Sequence, residues 1–187
     1  MNIIGITGRA GSGKSTLAYE IQDYYRMHYA QSLRSSGAEI KGFAVALKKC
    51  VAAMFNINWM LLEDQSFKAS PSPLGITWRE LLQKFGTEAV RNGMGENFWA
   101  DVLMSEYLPD SSKWIIQDVR FDNEAQAIRD RGGIIIRIER DNLIDVGTHA
   151  SEAGVSEHLV DETWVNNRGL EEIKMEAARL AEYFKTK

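Results

Sequence analysis

Cysteine is almost missing: Cys50 is the only one in 187 residues. An internal disulfide is therefore excluded and a reducing compartment is expected, with Cys50 as a small buried apolar side chain. No apolar stretch approaches the ~20 residues of a membrane span. The amino-terminal apolar run breaks at Gly8 without a charged segment ahead of it, so no signal-type leader is expected. Positive charge is not in excess either. Lys and Arg number 22 against 26 Asp and Glu, for a net charge of -4 and a pI of about 5.5. That balance argues against a broad nucleic-acid face, so any cationic group that meets a phosphate has to be local. Internal repeats, low-complexity tracts and a guanine-reading Asn-Lys-x-Asp are also absent. What remains is ordinary globular composition, 44% hydrophobic and 26% charged, in a length that suits one domain with a small insertion. A cytoplasmic location follows, with neither a membrane nor a nucleic-acid polymer as partner.

The informative stretch comes first. Ile3-Ile4-Gly5-Ile6 is followed by Gly8-Arg9-Ala10-Gly11-Ser12-Gly13-Lys14-Ser15, which fits the phosphate-loop pattern G-x-x-x-x-G-K-[ST] at every fixed position, after a strand and before a helix. Glycines let the backbone N–H groups crowd a polyphosphate, and the following helix points its positive end at the same place. Lys14 can reach the β- and γ-phosphates, and the Ser15 hydroxyl can ligate Mg²⁺. The loop from Gly8 to Ser15, with Thr16 behind it, is thus the candidate ATP site.

Periodicity organises the rest. Asn2–Thr7 reads as a buried strand, and a helix from Ser15 to about Ser35 carries Leu17, Ile21, Tyr25 and His28 at helical spacing. Ile40–Ala44 reads as a short second strand. A helix with Leu47, Val51 and Phe55 on one face follows, then a short one over Asn58–Asp64 and a loop at Ser70-Pro71-Ser72-Pro73. Thr77-Trp78-Arg79-Glu80 is a capping box. It opens a helix to about Asn92, with Leu81, Leu82, Phe85 and Ala89 on the buried side and Arg79, Gln83, Thr87 and Arg91 as a drifting polar stripe. Another helix spans Asn97–Leu108. Strands at Trp114–Gln117, Gly133–Arg140 and Trp164–Asn166 alternate with helices from Asp122 and from Leu170 to Phe184. Such alternation predicts an α/β fold, a parallel sheet with helices on both faces. The core is expected at 1–46 and 110–187. The strand-free stretch 47–109 reads as a helical insertion over the strand ends, where α/β sheets bind ligands, and the irregular stretch 140–156 as a short lid.

Asp118 closes a strand, where a carboxylate can hold Mg²⁺ directly or through water; capping the turn is the plainer role for it. If the acceptor is itself a phosphate, two polyanions meet, and several cationic groups must offset their repulsion. Arg120 is at the same rim, Arg79 and Arg91 lie on the insertion, Arg9 lies in the loop, and Arg137 and Arg140 flank the irregular stretch. Each arginine alone is as well explained by solvation. A monophosphate acceptor is already ionised at neutral pH, its second pKa being about 6, so the reaction needs positioning and charge more than a strong base. Asp118 as a base for an alcohol acceptor stays open on these residues alone.

Taken together, the loop Gly8–Ser15, Phe43-Ala44 with Leu47-Lys48, Leu82-Gln83-Lys84-Phe85-Gly86-Thr87-Glu88 with Arg91, Phe98-Trp99, Asp118-Val119-Arg120-Phe121 with Asn123-Glu124, His149 with Ser151-Glu152, and Asn166 make a pattern. The chain resembles the bacteriophage-type deoxynucleoside monophosphate kinases of the P-loop nucleotide kinase group. The resemblance implies a P-loop NTPase three-layer sandwich with a helical monophosphate-binding insertion and a lid. It implies ATP plus dNMP giving ADP plus dNDP, with Mg²⁺ held at Ser15 and Asp118. Gly8, Arg9, Ala10, Gly11, Ser12, Gly13, Lys14, Ser15 and Thr16 would bind ATP. Lys48, Arg79, Gln83, Thr87, Arg91, Trp99 and Arg120 would serve the dNMP, with Trp99, Trp78 or Phe43 as stacking faces for its base. Lys14, Arg120, Asp118 and Arg140 would carry the transfer, Arg140 as the lid arginine. The cytoplasm would be a host's if the chain is phage-encoded, and a homodimer is allowed. The stretch Arg140–Val155 departs from related lids in holding one arginine and no lysine, which leaves Arg140 or Arg137 to supply the charge. A dephospho-coenzyme A kinase, or a nucleotide-sensing module without turnover, remains the alternative.

Overall fold

In the computed structural model, residues 2–29, 37–141 and 154–184 are described. The chain forms two compact units, one of Met1–Gly42 with Tyr107–Lys187 and one of Phe43–Glu106.

The first unit is built on β1 (Ile3–Thr7), β2 (Glu39–Lys41), β3 (Trp114–Ile116), β4 (Ile134–Glu139) and β5 (Glu162–Val165). Among the described residues they form one sheet in the order β2-β3-β1-β4-β5, parallel throughout. Every residue of β1 is buried, as a central parallel strand covered on both faces must be. On one face α1 (Lys14–Tyr29) and α8 (Leu170–Ala181) pack Leu17, Ile21, Ile173 and Leu180 onto Ile4, Ile6, Ile115 and Ile136. On the other lies α7 (Asp122–Arg129). It presses so close that a β-carbon on Gly5 would sit 2.7 Å from Cδ1 of Ile128, and equally near Cδ1 of Ile135 on the neighbouring β4. Helix, sheet and helix give the expected three-layer P-loop NTPase sandwich. From β1 the chain runs outward to β2, and from β3 it crosses to β4 on the opposite side. The carboxyl ends of β1 and β3 therefore flank a switch point, the ligand-binding edge of such sheets.

The second unit is helical. It comprises α2 (Phe43–Phe55), a 3₁₀ turn (Trp59–Glu63), α3 (Gln65–Ala69), α4 (Trp78–Gln83), a π-helical stretch (Lys84–Arg91), α5 (Asn92–Met94) and α6 (Phe98–Met104). Its core gathers Val51, Ala52, Leu62, Trp78, Leu81 and Leu82. Trp78 meets the edge of Phe55 at 5.1 Å and stacks on Phe67 at 5.5 Å, pairs worth about 0.5–1.5 kcal/mol each beyond area burial. The capping box is formed: Thr77 Oγ1 accepts from the Glu80 N–H at 3.2 Å, and Glu80 accepts from the Thr77 N–H at 2.8 Å. The bond from Thr77 N–H, with a second from Thr77 Oγ1–H to Glu80 Oε2 at 2.8 Å, holds the Glu80 carboxyl below its ordinary pKa.

Several expectations shift. Phe43 and Ala44 open α2 instead of extending β2, because Ala44, Ala46, Leu47 and Lys48 favour helix more strongly than two β-type residues favour strand. Asp64, whose side chain accepts from the Phe67 N–H, starts a helix that the pattern did not reveal. Cys50 is exposed, facing away from the α2 stripe that Val51 shares. Ala89 is exposed, while Val90 lies in the interior. Residues 30–35 of the expected first helix fall outside the described residues. So do 142–153 of the expected lid, with His149, Ser151 and Glu152. No helix among the described residues is long and apolar enough to cross a membrane.

Candidate active site

The phosphate loop leaves β1 through Gly8, whose φ of 139° belongs to glycine. A β-carbon there would lie 2.2 Å from Ile138 O, so the loop hugs β4 at a distance closed to any side chain. Ser12 N–H closes a turn on Arg9 O at 3.2 Å, and Leu17 N–H to Gly13 O at 2.9 Å begins α1. The first turn of α1 holds no acidic residue, so its positive end has no carboxylate of its own. Lys14 folds back over the loop and donates from Nζ to Gly8 O and Arg9 O, both at 2.6 Å. An ammonium is thereby stationed on the loop, next to the N–H groups that phosphate oxygens would meet. Arg9, Ala10, Gly11, Ser15 and Thr16 are exposed, whereas Ser12 is fully buried.

A far segment holds this loop. Asn166, just past β5 and 4% exposed, donates from Nδ2 to Ser12 O at 2.8 Å. Its own N–H donates to Glu139 O at 2.8 Å. A β-carbon on Gly13 would come within 2.6 Å of that amide nitrogen, so glycine at 13 lets the clamp close. Asn167 ties the exit of β4 to the same corner. Its Oδ1 accepts from Asp141 N–H at 3.0 Å, and its Nδ2 donates to Asp141 Oδ2 at 2.6 Å.

β1 pairs with β3 in the register Gly5↔Ile116, and Val119 N–H donates to Ile6 O at 3.2 Å. Lys14, Asp118 and Arg120 consequently share one sheet edge. Asp118 is half-buried and seated against Gly42, where a β-carbon would lie 3.0 Å from Oδ2 and 3.1 Å from Oδ1. Arg120 is exposed, but its backbone is fixed. Glu124, 4% exposed, accepts at Oε2 from the N–H groups of Arg120 and Phe121 at 2.8 and 3.2 Å. Asp122 accepts from Ser156 N–H at 2.7 Å and Ser156 Oγ–H at 2.6 Å, bonds that hold its carboxyl below the usual carboxylate pKa. Arg140 is exposed at the end of β4. Arg137, the other source weighed for lid charge, is spent elsewhere: it pairs with Glu157 and donates to Val155 O. Asn166 and Glu124 belong to the resemblance, yet nothing local in the sequence signalled their roles. Only the bond partners do.

In the helical unit, Lys48 is engaged with Glu63 at 2.7 Å, and exposed Arg79 donates to Gln65 Oε1 at 2.7 Å. Gln83 and Thr87 are half-buried and Arg91 is 9% exposed, strung along one continuous helix. Trp99 does not offer a stacking face. It is 7% exposed, and its Nε1–H donates to Gly86 O at 3.0 Å. Trp78 and Phe43, at 4% and 3%, are likewise interior, because their rings supply the apolar area that packs the small units.

Ser15 Oγ and the Asp118 carboxylate are hard oxygen donors at one edge, the ligand type that Mg²⁺ takes, and Mg²⁺ keeps most of its remaining sites for water and phosphate. The residues present fit that ion, and the cradle with Lys14 fits a polyphosphate.

The profile of the deoxynucleotide monophosphate kinase family matches residues 72–177. A protein of Acanthamoeba polyphaga mimivirus, provisionally named a deoxynucleotide monophosphate kinase, is 31% identical over 191 aligned residues, with 92% of each chain covered. The deoxynucleotide monophosphate kinase of Enterobacteria phage T4 is 29% identical over 99 residues, 51% of this chain and 41% of that one. Among solved structures, a shikimate kinase from Acinetobacter baumannii in complex with shikimate superposes with a TM-score of 0.48 at 11% identity, covering 100% of this chain and 94% of that one.

Proposed function

The chain belongs to the deoxynucleotide monophosphate kinase family, and from that premise we propose that it transfers the γ-phosphoryl group of ATP to a deoxynucleoside monophosphate, yielding ADP and the diphosphate. The observation that carries this is the glycine cradle with Lys14 on it, at the sheet edge that also bears Asp118 and Arg120. ATP occupies the loop Gly8–Thr16, its phosphates replacing Gly8 O and Arg9 O as partners of the Lys14 ammonium. Lys14 then follows the γ-phosphoryl group as charge moves in the transition state. Ser15 and Asp118 are the residues that would hold Mg²⁺, which supplies charge neutralisation between the phosphates when bound.

The acceptor phosphate is already dianionic for the most part at neutral pH, so Asp118 is assigned to the metal and no general base is required. Arg120 and Arg140 offset the repulsion between the two polyanions. Lys48, Arg79, Gln83, Thr87 and Arg91 of the helical unit serve the monophosphate. For Lys48 this means exchanging the Glu63 carboxylate for phosphate. Trp99 supports that set from behind. The setting is a cytoplasm, a host's if the gene is viral, with nucleotides as the partners and a homodimer as the assembly to look for.

The test is ADP release measured across the four dNMPs, their ribose counterparts and dephospho-coenzyme A. Turnover with at least one dNMP is expected. Folded protein that turns over no nucleoside monophosphate refutes the proposal, and turnover confined to dephospho-coenzyme A or ATP binding without acceptor-dependent turnover points to the alternatives.

A further inference from the structure

Four residues per step is too many for an α-helix: at 3.6 residues per turn the side chains of Arg79, Gln83, Thr87 and Arg91 would drift by about 40° at each step. The helix changes type where this drift would part them. From Lys84 to Arg91 it is π-helical, and Asn92 N–H donates to Thr87 O, five residues back. A widened turn takes in an extra residue and turns the drift back. The burial pattern records the change, since Val90 occupies the interior and Ala89 the surface, one residue later than an α-helix would place the switch.

Two contacts from elsewhere in the same unit meet at this turn. A β-carbon on Gly86 would lie 2.7 Å from Leu47 Cδ2, so glycine lets α2 close on the helix backbone. From another element, the buried indole Nε1–H of Trp99 donates to Gly86 O at 3.0 Å, giving a helix carbonyl a partner outside its own helix. π-Turns are uncommon and concentrate at functional sites, and this one has both a packing contact and a hydrogen bond directed at a single residue.

We propose that Trp99 is a positioning residue: through Gly86 O it holds the π-turn that keeps Gln83, Thr87 and Arg91 on one line, and so sets the affinity for the acceptor monophosphate. This rests on the reading above that those three residues serve the monophosphate. It accounts for two motifs at once, Phe-Gly-Thr-Glu and Phe-Trp, as the two ends of one hydrogen bond.

Trp99→Phe removes the N–H and keeps an aromatic ring. The KM for dNMP is expected to rise about tenfold, the scale of a displaced charge-assisted contact, while the KM for ATP stays within twofold. Leu62→Val, a fully buried change in the same core, is the structural control and should lower Tm while leaving both KM values alone. Arg91→Ala separates loss of an acceptor contact from loss of the residue that positions it. If Arg91→Ala raises the dNMP KM and Trp99→Phe does not, the inference about Trp99 falls by itself; if neither does, the assignment of the acceptor residues falls and the inference with it. Should Trp99→Phe not fold, benzothienylalanine at position 99, which keeps the bicyclic shape and replaces the indole N–H that donates to Gly86 O with sulfur, decides by the same criterion.

Discussion

Asn166→Asp isolates the clamp on the phosphate loop, because it swaps an amide for an isosteric carboxyl and leaves the backbone untouched. In the native chain this side chain is 4% exposed and donates to Ser12 O at 2.8 Å. At neutral pH an ionised carboxyl has no proton to donate, so two buried acceptors face each other. The lost bond amounts to about 1 kcal/mol and the unsatisfied groups to about 1–3 kcal/mol more. Against a typical stability of about 5–15 kcal/mol the variant still folds. Burial favours the neutral acid, so the introduced carboxyl has a folded-state pKa raised above its unfolded value of about 3.9. Between those two values the folded state binds more protons than the unfolded state, and stability therefore falls as pH rises. The protonated acid can donate to Ser12 O, so the deficit against wild type is small near pH 4 and develops as pH climbs through the raised pKa. The assay is denaturant unfolding of both proteins from pH 4 to 8, joined to steady-state kinetics at neutral pH. A loop displaced by about 1–2 kcal/mol raises the KM for ATP about 5–30-fold with the KM for dNMP unchanged. A variant that tracks wild-type stability at every pH, with an unaltered KM for ATP, refutes the clamp.

Lys14→Ala should abolish most of kcat while near-ultraviolet circular dichroism and Tm stay close to wild type, since the Nζ bonds to Gly8 O and Arg9 O stay within the phosphate loop. Near-normal kcat in that variant contradicts its role in the transition state. Ser156→Ala removes the hydroxyl hydrogen bond that does most to depress the Asp122 pKa. An NMR titration of the carboxyl should show the value moving back up toward that of an ordinary aspartate, and an unmoved value rules out the Ser156 bond as its origin. In the wild-type chain the depressed Asp122 pKa contributes stability that is present above the unfolded pKa and is lost as pH falls through the folded one.

Local signals carried the architecture. The phosphate loop is legible because its glycines and Lys14 have fixed spacing, and the sheet because alternating strand and helix patterns leave few topologies. The Thr77 capping box declares itself because its two partners are three residues apart. Other features depend on partners that periodicity cannot supply. Asn166 and Ser12 meet across 154 positions of sequence, so the clamp exists only once β5 lies beside β4. Arg137 looks like any rim arginine until Glu157 and Val155 O engage it. A single helical period read across Thr77–Asn92 misassigned Ala89, because a π-turn is imposed by Leu47 and Trp99 pressing on Gly86 and leaves no compositional trace. Trp99 read as a stacking face for the base because the partner of its indole N–H lies 13 residues away. Which residues can handle phosphate, and in what order the elements come, follows from local chemistry alone, because glycine conformations, caps and apolar periods act within a few residues. Which side chains are spent on holding the loop and the helix in shape was decided only by tertiary packing, where each polar group in the interior must find a partner wherever the fold brings one.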